Sequence, residues 1–489
     1  MGLKQGCALF TLVVSRYYKY EVVIILSFVA TIMPALQVRS HSRSYSTGDA
    51  DTANAEAFSL VSGLQGEMTR RGAKRGPLVD IYLAKIYQNA EKSEQNAQDL
   101  VNAGVIPLVA ELLSRRAEGD RKGLEVVLIT LGILACDSAS AKLISDRKQT
   151  VQEFIQLCSP SHSEKVIILS LWCLNRICRS AEVAHELIKL KFIFAIEKLA
   201  IDGIIPTMAV YCLGTLIQTD ALAELVDSFE VVPYLIRHLR RTVQDDLHPD
   251  DICAGLYAIA RLSRSIKLAK ELTGAGCIPL ITFNLRYSKD PDVLDWSARA
   301  VGCLMRPNSV DMAKALLDAG AAPGLARLPT ALAPDCLRPL ASLGFAVQRF
   351  SCAEWGKGTR VALLEAGVID SLLAALRTAA IEPCNEVQVE LALAVSLLGD
   401  VGGSVIRKEI VNAGGVDILK SVASRGTLDV AKACNIAITS IVGNLLTRNA
   451  ATARTAMQHN WNGGCPEHHP LCPLTLKVDS PKREGSASV

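Results

Sequence analysis

The sequence predicts an all-α protein built as a long array of helical repeats. A motif made of an aliphatic residue, a small residue, any residue and a second aliphatic residue recurs along most of the 489-residue chain. An Ala-Gly corner followed by Pro or Asp returns at a fixed distance from that motif. Half of the residues are hydrophobic but only 5% are aromatic, a composition typical of packed helices rather than of β-sandwiches.

The first signal places nine small residues at nearly constant intervals. They are Ala84, Gly132, Asn175, Gly214, Ala260, Gly302, Gly344, Ser396 and Gly443. The 359 residues from the first to the last divide into eight steps, so the mean period is about 45 residues, the length of one helical repeat in a solenoid. We therefore expect each small residue to lie at a contact between long helices of neighbouring repeats.

The second signal predicts where helices meet inside one repeat. Gly adopts a positive φ without steric penalty, and Pro is tolerated in the first turn of a helix. An Ala-Gly corner therefore predicts a sharp turn between a short first helix and a second helix, with a long third helix after them. The corner glycines are Gly104, Gly276, Gly320, Gly367 and Gly414, and no such corner occurs between residues 140 and 220.

These features resemble the armadillo repeat, whose units combine an Ala-Gly corner, an aliphatic-Pro start of the second helix and a long third helix with a Leu-small-x-Leu motif. The resemblance covers residues 58–450. It implies an all-α, right-handed superhelical solenoid of about eight to nine three-helix repeats. Residues 58–92 would then form an N-terminal half repeat that serves as a cap.

Residues 1–57 form a head with three interpretations. Val22–Val38 is a 17-residue apolar stretch, at the short limit for crossing a bilayer, and with the apolar run before it favours a membrane anchor through residues 7–38. The Arg- and Ser-rich, acid-poor stretch that ends near Thr47 resembles a mitochondrial transit peptide. An unstructured or mispredicted start is the third interpretation. The expected location is accordingly cytoplasm-facing, with or without a membrane anchor, or alternatively mitochondrial.

Residues 451–489 predict a disordered tail. Within eight residues this segment contains four potential zinc ligands, Cys465, His468, His469 and Cys472. The two adjacent histidines cannot both turn inward with both cysteines in so short a loop, so we favour a Pro-rich disordered segment and predict no metal site.

Composition and motifs argue against several classes of function. The 52 basic and 49 acidic residues give a net charge of +3, whereas a dedicated nucleic-acid binder has a strong basic excess. Eight of the 15 cysteines lie in apolar runs, which predicts buried thiols that act as small hydrophobic groups: Cys136, Cys158, Cys173, Cys178, Cys212, Cys253, Cys277 and Cys303. The sequence contains no nucleophile elbow and no His-Glu-x-x-His motif. We predict a non-enzymatic protein with no catalytic residue and no cofactor.

A candidate binding stripe runs along the central third helices. In three consecutive repeats an aromatic residue stands three positions before the small residue, and in two of them an Arg follows one turn later. In the next repeat Arg299 occupies the position of the aromatic residue. The stripe consists of Trp172, Arg176, Tyr211, Tyr257, Arg261 and Arg299. Aromatic and Arg side chains are the usual binding hot spots, and their charge favours an acidic or polar partner. The alternative is that the rings pack inside the solenoid.

The stripe and the fold lead to two functional hypotheses. The first is a protein–protein interaction scaffold that binds an extended segment of another protein in its concave groove. The second is a membrane-tethered organiser, in which the head anchors the solenoid to an organelle and the groove recruits cargo. No sequence feature identifies the partner protein.

Overall fold

The computed structural model describes residues 49–70, 76–118, 123–200, 206–244, 248–305, 309–352, 357–381 and 384–443. Within these ranges the chain forms 27 helices and no strand. An N-terminal pair of helices is followed by eight repeats of three helices each, and in repeat 6 the second helix is divided into two. The predicted all-α solenoid is therefore confirmed.

The helices divide into an N-terminal pair and two sets of four repeats. The pair is α1 (Asp49–Thr69) and α2 (Gly76–Lys92). Repeats 1–4 contain α3 (Glu94–Asn102), α4 (Val105–Glu118), α5 (Leu124–Leu134), α6 (Ser138–Ser145), α7 (Lys148–Leu157), α8 (Glu164–Ile177), α9 (Ala181–Lys189), α10 (Phe192–Lys198), α11 (Thr207–Leu216), α12 (Asp220–Val226), α13 (Val231–Gln244) and α14 (Pro249–Leu262). Repeats 5–8 contain α15 (Ile266–Gly274), α16 (Cys277–Tyr287), α17 (Pro291–Leu304), α18 (Val310–Asp318), α19 (Ala321–Ala326), α20 (Leu328–Ala331), α21 (Arg338–Cys352), α22 (Lys357–Glu365), α23 (Val368–Ile381), α24 (Asn385–Val401), α25 (Gly403–Asn412), α26 (Gly415–Arg425) and α27 (Leu428–Val442).

Like helices of neighbouring repeats stack on one another. The third helices form one continuous series, in which α2, α5, α8, α11, α14, α17, α21, α24 and α27 each contact the next. Second helices stack in the same way where α4 meets α7 and where α13, α16, α19, α23 and α26 follow one another. In repeat 6 the second helix is divided into α19 and α20, with Pro329 in the first turn of α20, a position where its missing N–H is harmless.

The predicted corners are present. All five corner glycines have a positive φ, between 72° and 91°. Repeat 3 has no Ala-Gly corner, and there Lys191 takes a φ of 63° between α9 and α10; it is the one positive-φ residue other than Gly among the described residues. In repeat 2 the residue before α7, Arg147, keeps a negative φ, so that turn has a different geometry.

The recurring small residues lie where consecutive third helices touch. A Cβ atom on Gly214 would stand 2.6 Å from the ring of Tyr257, and one on Gly302 would overlap the ring of Phe345. The hydroxyl groups of Ser396 and Ser440 are 2.8 Å apart. Gly443 is an exception to the prediction, because it follows the last residue of α27 as its C-cap rather than lying within the helix.

The predicted head and tail fall mostly outside the described residues. Helix α1 begins at Asp49, before the predicted start of the array at residue 58. Residues 1–48, with the apolar stretch of the head, and residues 444–489, with the Cys and His residues of the tail, lie outside the described ranges. Among the helices that the structure describes, none combines the length and apolar character needed to cross a bilayer.

Candidate functional site

The six predicted stripe residues lie on four consecutive third helices. Trp172 and Arg176 are on α8, Tyr211 is on α11, Tyr257 and Arg261 are on α14, and Arg299 is on α17. Because residues four apart share one face of a helix, each Arg is expected beside the aromatic residue one turn before it.

Contacts within the helices follow this expectation. The guanidinium carbon of Arg176 lies 5.5 Å from the ring centroid of Trp172, and that of Arg261 lies 5.8 Å from the ring centroid of Tyr257. Both distances are within cation–π range. In the repeat without Arg, the hydroxyl of Thr215 lies 3.4 Å from the hydroxyl of Tyr257 in the next repeat.

The stripe is not an open surface. The exposed fraction is 6% for Trp172, 5% for Tyr211 and 2% for Tyr257, and Arg176 and Arg261 are buried too. Only Arg299 is half-buried. The rings are covered because each packs against a neighbouring third helix: Trp172 lies over Gly132, and Tyr257 lies over Gly214. The burial of these five residues agrees with the alternative that the rings pack inside the solenoid, whereas the use of the stripe by a partner stays a prediction.

Further residues belong to the same series of contacts. The centroid of the Tyr257 ring is 6.1 Å from that of Tyr211 and 5.0 Å from that of Trp296 on α17. One repeat further on, the Arg299 guanidinium carbon lies 4.6 Å from the ring centroid of Phe345 on α21. We call the six stripe residues together with Trp296 and Phe345 the third-helix ladder.

Sequence reasoning missed Trp296 and Phe345. The stripe position lies three residues before the small residue of each repeat. Trp296 instead stands six residues before Gly302, and Phe345 directly follows Gly344. The signal that could have found Trp296 is an aromatic residue one turn before Arg299 on the same helix face. Nothing within one helix predicts that Arg299 pairs with Phe345, because the pair forms between repeats.

Several polar side chains cap the third helix of the preceding repeat. Arg179 donates from Nη2 to the carbonyl oxygens of Ala135 (2.8 Å) and Cys136 (3.0 Å), which follow α5. Gln218 donates to the carbonyl oxygen of Cys178 after α8 at 2.8 Å. Carbonyl groups at a helix C-terminus have no partner within their own helix and favour a positive charge nearby.

Two arginines on third helices make the same kind of contact. Arg349 donates to the carbonyl oxygen of Met305, directly after α17, at 3.2 Å. Arg261 donates from Nε to the carbonyl oxygen of Gly214, in the last turn of α11, at 3.3 Å. These two side chains therefore have a structural task, which also explains how a guanidinium group is accommodated at such low exposure.

The N-terminal ends of the third helices α14 and α17 are acidic. Asp250 and Asp251 lie in the first turn of α14, and Asp290 caps α17 by accepting from the backbone N–H groups of Asp292 and Val293. Burial raises the pKa of Asp250, and nearby carboxylates raise it further, although His248 opposes them with its Nδ1 atom 3.2 Å from the carboxylate. In α8 and α14 an acidic residue in the first turn and an Arg in the last turn give the two ends of the helix opposite charges.

The described residues show little reactive chemistry. No group of three or more His, Cys, Asp or Glu side chains in the described ranges is arranged to hold a metal ion. The eight cysteines predicted to be buried are buried. Burial raises the pKa of Cys277 and of Cys434 to about 12, which keeps these thiols protonated and unreactive near neutral pH.

Comparisons with known proteins establish the fold. No profile of a known protein family matches the chain, and no curated protein matches it. An engineered protein of the Northeast Structural Genomics Consortium is similar over 81% of this chain and 96% of its own, with 19% identity and a TM-score of 0.59. A designed armadillo repeat protein aligns with 60% of this chain and 99% of its own, at 16% identity and a TM-score of 0.39. At such low identity the first likeness shows the fold alone, and the three-helix units define this chain as an armadillo-like repeat solenoid.

Proposed function

We propose that this protein is a non-enzymatic scaffold that binds an extended acidic or polar segment of another protein along its third-helix face. Repeat solenoids present long surfaces to which each repeat contributes one equivalent position, and such folds are typical of protein-binding scaffolds. The observation that carries the proposal is the repetition of Arg–aromatic pairs, Arg176 with Trp172, Arg261 with Tyr257 and Arg299 with Phe345.

The proposal gives the six stripe residues two roles. Arg299 is half-buried, as are its partner Phe345 and Thr215, so a partner segment reaches these side chains first. Trp172, Tyr211 and Tyr257 lie beneath the accessible surface, together with Arg176 and Arg261. They fix the spacing and orientation of the helices that present it. Guanidinium groups bind carboxylates in a bidentate manner, which favours acidic groups in the partner.

The test uses fluorescence anisotropy with extended synthetic peptides that differ only in charge. We expect the full chain to bind Glu-containing peptides better than their Gln counterparts. Arg299→Glu should weaken binding about tenfold, because the accessible charge of the ladder is reversed. Arg425→Glu is the matched control, because this exposed residue lies on the second helix α26. Equal loss in both variants, or unchanged binding in Arg299→Glu, would contradict the proposal.

A second candidate function is that of a membrane-tethered organiser. It rests on the apolar stretch Val22–Val38 in the sequence. A chain that lacks residues 1–48 should lose membrane association while keeping peptide binding, since the third-helix face contains none of those residues. An unchanged distribution of the shortened chain between membrane and soluble fractions would rule out the anchor.

A further inference from the structure

Two second helices of the central repeats, α10 and α16, expose large aromatic side chains, and α13 lies between them in the repeat order. The exposed fractions are 46% for Phe194, 45% for Phe283 and 60% for Tyr287. The rings are arranged in pairs: Phe194 meets Phe229 edge to face at 5.1 Å between centroids, and Phe283 lies 5.0 Å from Tyr287. The Arg286 guanidinium carbon lies 5.4 Å from the Tyr287 ring centroid. Large apolar side chains clustered on a surface mark interaction sites more often than scattered ones do.

The same helices carry a local excess of positive charge. Residues 191–198, 229–244 and 277–289 contain seven basic residues and two acidic ones, in a chain whose overall balance is +3. By contrast, the second helix α23 has one acidic residue, Asp370, and one basic residue, Arg377. The basic residues of α10, α13 and α16 are exposed, and the basic residues in the turns beside these helices are exposed too.

Direct contacts join the three helices into one face. The Phe194–Phe229 pair connects α10 to the turn before α13. Arg240 of α13 donates to the carbonyl oxygen of Ala275, in the corner before α16, at 3.0 Å. We call the surface formed by Phe194, Arg237, Arg240, Phe283, Arg286 and Tyr287 the basic–aromatic face. It belongs to the second helices and is therefore distinct from the third-helix ladder.

We propose that the basic–aromatic face is a second protein-binding surface, and that its partner is an acidic segment with apolar side chains between its carboxylates. The charge of the face is complementary to such a segment, and its exposed rings offer apolar area to bury. The exposed cations of α13 and α16 are all arginines. Arg pairs with carboxylates in a fixed bidentate geometry and is enriched with aromatic residues at protein interfaces, where Lys is depleted.

The test measures binding of the full chain to a synthetic peptide in which Glu alternates with Phe and Leu, and to the same peptide with Gln in place of Glu. We expect the Glu peptide to bind and the Gln peptide to bind at least about tenfold more weakly, with a further loss of affinity at high salt. The double variant Phe283→Ser with Tyr287→Ser, and separately Arg286→Glu, should each weaken binding of the Glu peptide by about tenfold.

Arg377→Glu is the matched control, because Arg377 is the tenth residue of α23, as Arg240 is of α13 and Arg286 is of α16. Its affinity for the Glu peptide should stay unchanged, and melting temperatures show that each variant is folded. Equal binding of both peptides, or equal loss in the control, would overturn the inference. Binding of phosphatidylserine vesicles without binding of the Glu peptide would also overturn it, in favour of a lipid surface. If Arg299→Glu abolishes peptide binding and the face variants do not, the third-helix proposal stands and this one fails.

Discussion

The indole ring of Trp172 lies directly over Gly132, across the contact between α8 and α5. The recurring small residue and the aromatic stripe are therefore two halves of one contact. Gly214 and Tyr257 repeat the arrangement between α11 and α14. A small residue on one third helix provides the space that the ring of the next repeat fills, so that the two backbones approach closely and little void is left.

Gly132→Leu should destabilise the solenoid by about 1–3 kcal/mol, because the new side chain occupies the volume of the Trp172 ring. Adding Trp172→Ala in the same chain should recover part of that loss, giving a coupling between the two sites that is absent for distant residues. Urea unfolding of the two single variants and the double variant measures it. Gly274→Ala is the control, since nothing lies within 4 Å of a Cβ there. Purely additive losses would show that the ring does not fill this space.

Trp172→Ala alone should destabilise the protein by about 3–5 kcal/mol, as the loss of a buried large aromatic side chain does. Thermal unfolding and peptide binding should be measured on the same sample. A loss of peptide affinity with almost no loss of stability would show instead that the ring contacts the partner directly.

Lys191→Gly should stabilise the protein by up to about 1 kcal/mol. It removes the cost of about 1–2 kcal/mol that an L-residue has in a left-handed conformation, and the larger entropy of Gly in the unfolded chain offsets part of that gain. Gly104→Ala should have the opposite effect, since Gly104 has a φ of 87° and no atom near a Cβ to complicate the result. Differential scanning calorimetry measures the stability of both variants relative to the unaltered chain. A destabilised Lys191→Gly would mean that the lysine side chain contributes more than its backbone strain costs.

Arg179→Ala should destabilise the contact between repeats 1 and 2 by about 2–3 kcal/mol, because it removes charged hydrogen bonds to the carbonyl oxygens of Ala135 and Cys136. Amide hydrogen exchange should speed up most in α5, whose C-terminus loses its cap. Lys420→Ala changes an exposed cation on α26 and should have little effect. Uniform acceleration of exchange along the chain would contradict a local capping role.

Because of His238, the protein should become less stable as the pH falls below about 6.5, the ordinary pKa of a His side chain. Burial lowers the pKa of His238 in the folded state, and its Nε2 atom lies 2.8 Å from the carbonyl oxygen of Asp251. The unfolded chain therefore binds a proton first as the pH falls, and stability decreases. His238→Gln should lose less stability than the unaltered chain between pH 8 and pH 5 in thermal unfolding. Parallel pH profiles would show that His238 does not titrate during unfolding.

The corner glycines show what sequence reasoning captures well. A turn that needs a positive φ selects Gly strongly, so Gly276 and Gly414 could be assigned from their neighbours alone. The equivalent turn at Lys191 was missed, because Lys rarely takes this conformation and the surrounding packing imposes it here. Local preference identifies the turn only where the residue type agrees with the backbone.

The ladder shows where sequence reasoning stops. The spacing of Trp172 and Arg176 predicts their contact, since both lie on one helix. The burial of Trp172 depends instead on how closely α5 approaches, and the pairing of Arg299 with Phe345 depends on the register between α17 and α21. Both are properties of two helices at once, whereas periodicity describes one helix at a time.

The side-chain caps make the two ends of the solenoid inequivalent, because the donors always lie in the later repeat and the capped carbonyl groups in the earlier one. Arg179, Gln218 and Arg349 each reach back from a later repeat to the end of the helix before it. Removing repeats from the C-terminal side therefore strips carbonyl groups of their donors, while removal from the N-terminal side leaves polar side chains that water can solvate. The chain should thus tolerate shortening from its N-terminal side better than from its C-terminal side. During synthesis, the C-terminal carbonyl groups of each such third helix gain their side-chain donors only when the next repeat has emerged from the ribosome.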